Sequence, residues 1–519
     1  MLGFHRRTRS LIPVKDLAKY DKIALDEEEV EEELQGVEEL EPVVKADHKQ
    51  LTLVYIIFLA EAIMASSLQG QLQMLISNND FCADLSTSYL RSILDCAYAF
   101  GGTTGIFWGY LSDRIGRRRV TLLGLWTMLI CCLSMGFATD LTSCAIFRFL
   151  AGLASSTVLV TTLTMIGDLS NTAERAKNVA RLPLIALCGS IGPLVQHMVA
   201  GSINASGEVW QKFPILSSQI TCGSVVLLIA IAASVMLKET LPMQSERTTG
   251  SMDFDCEKAA FLAHNESSDD LSLTVIDCAR PEPISINQFL QAPSLLVLLS
   301  SFSLLSLHSS TFDVLLPHLG HSSGQQGGMG IPCTWLGLTV LGVRATAGIL
   351  ILHFVPRAVE RFGLLKLYRS ASLFFPAIYV LTPLLALLAA CSMFLVTSVS
   401  TVAILAKHTL TGGATVLVAL LVLNTTPDAF SAGTVVGMMQ VASLFKALAV
   451  AVSGASFYLS NEYSIGTTNY SLWSCLALFG LCGSALAWFV RERPSVEMDF
   501  PSEVLCWETC FDAEEKALA

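Results

Sequence analysis

The chain predicts an all-α membrane protein of twelve spanning helices in two pseudo-symmetric six-helix bundles. Three observations carry that prediction. Of 519 residues, 52% are hydrophobic and only 15% are charged, with a mean hydropathy of +0.57. Apolar stretches long enough to cross ~30 Å of hydrocarbon as a helix recur along the chain. Finally, Asp113-Arg114-Ile115-Gly116 after the second stretch is echoed by Glu360-Arg361-Phe362-Gly363 after the eighth. Acid, arginine, bulky apolar residue and glycine recur in the same order. Duplicated halves of this kind place a transport site at their interface, near the bilayer midplane.

The elements follow in order. Residues 1–50 form a polar tail, expected to be cytosolic and disordered. Most of the net charge of −12 lies here, because Asp26–Glu41 carries ten acids and no base. Such a run is self-repelling and poor in aromatics. The tail holds no apolar signal segment, so the first span is expected to act as its own insertion signal. Spans are read at 51–76, 88–109, 120–137, 141–165, 178–203 and 214–237 in the first bundle (51–237). The second bundle (292–490) holds 292–317, 333–354, 371–391, 396–423, 430–459 and 470–490. A polar stretch at 238–291 reads as a cytosolic linker, and 491–519 as a cytosolic tail.

Charge fixes the orientation. Arg114, Arg117, Arg118, Arg119, Arg175, Lys177, Lys238, Arg357, Arg361, Lys366, Arg369, Arg491 and Arg493 all fall on one side. The opposite loops hold Lys212 and little else basic. Short basic loops stay cytosolic, so both termini are expected there. The sequons at Asn204 and Asn469 then face outward, where glycosylation can occur.

Of the fifteen cysteines, most scatter through apolar segments without metal spacing and read as packing residues, while Cys506 and Cys510 sit in the C-terminal tail. No phosphate-binding G-x-x-x-x-G-K-[ST] loop and no nucleophile–base constellation occurs, which excludes an ATP-driven pump and an enzyme. No cofactor, no metal and no nucleic-acid partner is expected. The expected partners are a small-molecule substrate, protons and the lipid bilayer, with the chain acting as a monomer.

The charges inside the spans carry the mechanism. Glu61 lies within the first span and Asp95 within the second. A carboxylate in hydrocarbon costs at least ~2.5 kcal/mol, so each should face a cavity or a partner. Both are candidates for proton coupling, and Asp95 has Arg91 one turn away as a local partner. Arg148 in the fourth span could pair with either acid. Arg344 in the eighth span and Lys446 in the eleventh are the bases of the second half. If they line the cavity, they favour an anionic or carboxylate substrate. Lys407 and His197 are further polar residues in apolar surroundings.

Several motifs resemble the major facilitator superfamily, whose fold is two six-helix bundles around a central cavity. Residues 108–119 are similar to its G-x-L-a-D-R-x-G-R-R/K loop, and Arg148-Phe149-Leu150-Ala151-Gly152 to its R-F-x-x-G motif. Gly189-Ser190-Ile191-Gly192-Pro193 resembles the G-x-x-G-P antiporter motif, and Lys238-Glu239-Thr240-Leu241-Pro242 the x-E-T-L-P of fungal members. Together these resemble the twelve-span drug:proton antiporter branch, including the fungal and zinc-induced-facilitator-like group. The antiporter motif departs from its pattern, since Gln196 and His197 replace two glycines.

The resemblance implies roles. Asp113 is expected to follow the second helix and face the N-terminus of the eleventh, near Ala429–Gly433. There it would latch the halves in the outward-open state. Arg117 would pair with Asp168, Arg114 and Arg118 belong to the same basic turn, and Gly109 and Gly116 would permit that turn. Glu360, Arg361 and Gly363 are the second-half counterpart. Gly189, Gly192 and Pro193 are expected to kink the fifth helix. The implied activity is proton-coupled export of small organic molecules by alternating access, at the plasma or vacuolar membrane. A proton symporter or facilitator importing a nutrient and a non-transporting membrane sensor are the alternatives.

Overall fold

A computed structural model describes residues 48–78, 87–138, 140–190, 213, 215–241, 292–321, 329–331, 333–385, 393–426, 429–462 and 470–491. These residues form helices and connecting turns, with no strand among them. The first bundle holds α1 (His48–Asn78), α2 (Thr87–Gly102), α3 (Gly105–Ile115), α4 (Arg117–Met135), α5 (Leu141–Asp168), α6 (Thr172–Val179), α7 (Leu182–Gly189) and α8 (Leu216–Met236). The second holds α9 (Pro293–His321), α10 (Cys333–Phe362), α11 (Leu364–Leu385), α12 (Met393–Asn424), α13 (Ala432–Met439), α14 (Ala442–Glu462) and α15 (Tyr470–Phe489). Ten of the described helices, counting α13 and α14 as one, are long and apolar enough to span a bilayer. The second and fifth spans are each divided in two, into α2–α3 and α6–α7.

These helices are apolar on nearly every face, as lipid-immersed helices must be. On α8, Cys222, Val226, Ala230 and Ala233 point inward, while Leu228, Ile231 and Val235 are exposed. The inward stripes favour small residues that let backbones approach. A Cβ on Gly101 in α2 would strike the Phe149 carbonyl of α5, and one on Gly152 in α5 would strike the Tyr98 carbonyl of α2.

The structure differs from the expected boundaries in several places. The eighth helix runs past 354 to Phe362, so Glu360 and Arg361 are helical. The second helix does not stop at 109: α3 runs to Ile115, so Gly109 and Asp113 are helical. The turn that follows is a single residue, Gly116, whose φ of 105° suits only glycine, and α4 starts at Arg117. The fifth span begins at Thr172, which puts Arg175 and Lys177 in a helix. The ninth begins at Leu364, so Lys366 and Arg369 are helical too. In each case a charged residue sits in the first or last turns, where a hydropathy window reads loop.

At the break between α2 and α3 the backbone tightens: the Thr103 and Thr104 N–H groups donate three residues back, to the Phe100 and Gly101 carbonyls, at 3.1 and 3.3 Å. The two hydroxyls donate to the same carbonyls at 2.7 and 2.8 Å. This break lies against the matching break between α13 and α14, since Gly105 touches the Gln440 side chain and Gly102 touches Ser443.

Candidate functional site

Charged and polar side chains gather at two levels between the bundles: at the end marked by Gly116, and in the middle. At the Gly116 end, Asp113 is buried in the last turn of α3. Its carboxylate accepts the backbone N–H groups of Gly433 (2.9 Å) and Thr434 (2.6 Å) and the Thr434 hydroxyl (2.7 Å). Both N–H groups lie in the first turn of α13, where no helical carbonyl can reach them and the helix dipole is positive. The approach depends on glycines. A Cβ on Gly109 would run into the Gly433 carbonyl, and one on Gly437 into Gly105. Gly109 therefore serves close helix crossing and not a turn.

Arg117 is fully buried and joins this contact to its own bundle. Its guanidinium pairs with Asp168 at the end of α5 and lies 3.9 Å from Asp113. Asp168 also accepts the Thr240 hydroxyl at 3.1 Å. Glu239 accepts the backbone N–H groups of Arg117 (2.8 Å) and Arg118 (3.1 Å), capping α4. Sequence reading quoted Glu239 within a motif without giving it this partner. The Arg118 guanidinium donates to the Ser234 carbonyl, and exposed Arg114 lies over the Tyr110 ring at 4.4 Å. A further bond between the bundles runs from Arg175 to Asn424 at 3.0 Å.

The second-half turn repeats the backbone but not the contacts. Gly363 has a φ of 80°, like Gly116 in sign. Glu360 and Arg361 are exposed, and among the described residues neither makes an ion pair.

In the middle of the first bundle, Glu61 is 6% exposed and accepts the Ser155 hydroxyl at 2.5 Å. Lys446, from the second bundle, and Tyr98 are its other electrostatic neighbours. Arg148 pairs with Asp95 at 2.6 Å and not with Glu61, and it also lies over the Tyr98 ring. Asp95 meets Arg91 as well, at 3.6 Å.

The middle of the second bundle holds a pair that sequence reading missed. Lys407 is fully buried and donates to Asp313 at 2.6 Å, with its ammonium 5.0 Å from the Phe312 ring centre. Asp313 was as visible an intramembrane acid as Glu61. Arg344 is exposed on α10 and acts electrostatically on Asp313, Lys407 and His408. His308 shares a 2.6 Å hydrogen bond with the Tyr379 hydroxyl.

Gly189 brings α7 against α1, where a Cβ would meet Ala62. Gly192, Pro193, His197, Asn204 and Asn469 lie outside the described residues. Among the described residues, no three His, Cys, Asp or Glu side chains gather to hold a metal.

Comparisons agree with this geometry. The family model described as Major Facilitator Superfamily matches residues 52–454. The chain is 26% identical over 465 residues to the Major facilitator superfamily multidrug transporter mfsB of Aspergillus fumigatus, covering 75% of this chain and 74% of that protein. It is 25% identical over 429 residues to the Major facilitator-type transporter psiT2 of Psilocybe cubensis, covering 75% and 80%. Among solved structures, the human organic anion transporter MFSD10 superposes with a TM-score of 0.60 at 16% identity, covering 85% of this chain and 99% of that one. The proton:xylose symporter XylE superposes with a TM-score of 0.61 at 13% identity, covering 86% and 98%. Two bundles that meet at glycines and helix ends, charges sunk between them, and a family match over most of the length lead to one statement: the chain belongs to the Major Facilitator Superfamily.

Proposed function

We propose that this protein exports small organic molecules from the cytosol through the space between its bundles, by alternating access coupled to protons. One feature supports the coupling: a nearly buried carboxylate, Glu61, lies near enough to Lys446 of the opposite bundle to feel its charge. Adding a proton to Glu61 cancels a charge at the interface that must open and close. The two bundles then feel a different attraction in the loaded and unloaded states. Asp113 supplies the other part of the cycle, as a latch on the α13 N-terminus that holds the cytosolic end shut. Export is supported by the multidrug transporter among the relatives. The plasma or vacuolar membrane is the proposed site, with both termini in the cytosol.

Lys446 favours a second reading, proton-coupled uptake. Neutral Glu61 leaves the ammonium free for a solute anion, so proton and anion would bind together and not in turn. Proteoliposomes of known orientation separate the two. An imposed solute gradient drives protons the opposite way in an exporter and the same way in a symporter. Proton movement absent in both arrangements would end both readings.

A further inference from the structure

We infer that Arg344 forms an anion-binding subsite on the wall of the second bundle, and that the transported molecule is an organic carboxylate. This rests on reading the space between the bundles as the solute path.

The first ground is where Arg344 points. On α10 it lies one turn from Gly348, which faces Leu184 of α7 in the opposite bundle. Residues four apart share a helix face, so Arg344 faces the opposite bundle just beyond that contact. There the helices separate: Gly337, two turns further along the same face of α10, has nothing within 4 Å of a built Cβ. Lys446 shares a face with Ser443, which lies against Gly102 of the first bundle, and it acts electrostatically on Glu61. Both bases therefore project between the bundles and not toward lipid.

The second ground is charge. Glu61, Lys446, Lys407, Arg344 and Asp313 all lie roughly 20 to 30 Å along their helices from the Gly116 end, at 1.5 Å per residue. Lys407 is held by Asp313 at 2.6 Å, and Lys446 acts electrostatically on Glu61. Arg344 acts electrostatically on Asp313 but has no acid within ion-pair distance among the described residues. These five side chains thus set three cations against two acids. A cation in excess at membrane depth is costly and marks a ligand path. The missing charge is a single negative one. A guanidinium meets a carboxylate in two parallel hydrogen bonds, which selects that group over a neutral amide or an amine.

The test uses the purified full-length chain and three ligands matched in ring and size: 1-naphthoate, 1-naphthamide and 1-naphthylmethylammonium. Thermal unfolding with each gives the binding, and solute-driven pH change in proteoliposomes gives the transport. The expected result is that naphthoate alone raises the unfolding temperature. Its apparent affinity should fall about tenfold or more in Arg344→Gln and recover in part in Arg344→Lys. Arg344→Ala, if Arg344→Gln does not fold, should show the same loss. Equal stabilisation by naphthamide, no stabilisation by naphthoate, or unchanged selectivity in these variants would overturn the subsite. Selective binding with no coupled flux would instead keep the subsite and remove the transport reading.

Discussion

The Asp113 carboxylate sits 2.6 Å from the backbone nitrogen of Thr434, across the line that divides the two bundles. An acid at the last turn of one helix thus caps the first turn of another more than three hundred residues later. The contact can form only where the opposing backbones nearly touch, and Gly109 and Gly433 make that approach possible.

Replacing Asp113 by Asn keeps the shape and removes the charge. Hydrogen bonds to a charged group contribute about 1.5–3 kcal/mol, so the balance between sealed and open forms of this end should shift about tenfold or more toward open. Thr434→Val removes only the hydroxyl bond and should shift it less. Distances between spin labels at Arg119 and Thr425 would read both. Unchanged distances in Asp113→Asn would remove the latch.

Gly109→Ala and Gly342→Ala make an opposed pair. At Gly109 the added methyl meets a carbonyl oxygen, which cannot move aside cheaply; at Gly342 it meets nothing. Gly109→Ala should slow solute flux severely. Gly342→Ala should leave folding intact or stabilise the helix by up to about 1 kcal/mol. Flux and unfolding measured side by side decide it.

Glu61→Gln should uncouple the protein from the pH gradient. Gradient-driven accumulation should disappear while solute exchange at equal pH persists, because the side chain keeps its volume and its bond to Ser155. Retained accumulation would move proton coupling to another residue.

The Lys407–Asp313 pair should be unequal when cut. Lys407 is fully buried, whereas the Asp313 side chain is 37% exposed. Asp313→Asn strands a buried ammonium and should cost about 3–5 kcal/mol. Lys407→Met leaves a partly solvated carboxylate and should cost less. The double variant should recover most of the loss, as thermal unfolding of the three proteins would reveal.

Hydropathy and the two matched turns made the bundles readable from composition and order alone. Gly116 was expected to permit a tight turn, and its φ of 105° does so; Gly363 was read only as its counterpart, and its φ of 80° repeats the angle. Gly109 was misread, since a glycine looks the same whether it serves a turn or a crossing. The breaks at Thr103 and Gln440 were invisible, because an apolar average does not register a local change of hydrogen bonding. Arg148 had two acids within plausible reach, and only packing shows that Asp95 is its partner. The cap that Glu239 places on α4 joins residues over a hundred positions apart, a distance no local pattern spans.

Much of the contact between bundles at the Gly116 end is main chain: glycine carbonyls, glycine α-carbons and two N–H groups. Such a seam has few rotamers to freeze when it closes and few to release when it parts. Its opposing halves can thus separate and meet again with little entropic penalty. On parting, water can take over the hydrogen bonds that the Gly433 and Thr434 N–H groups give up.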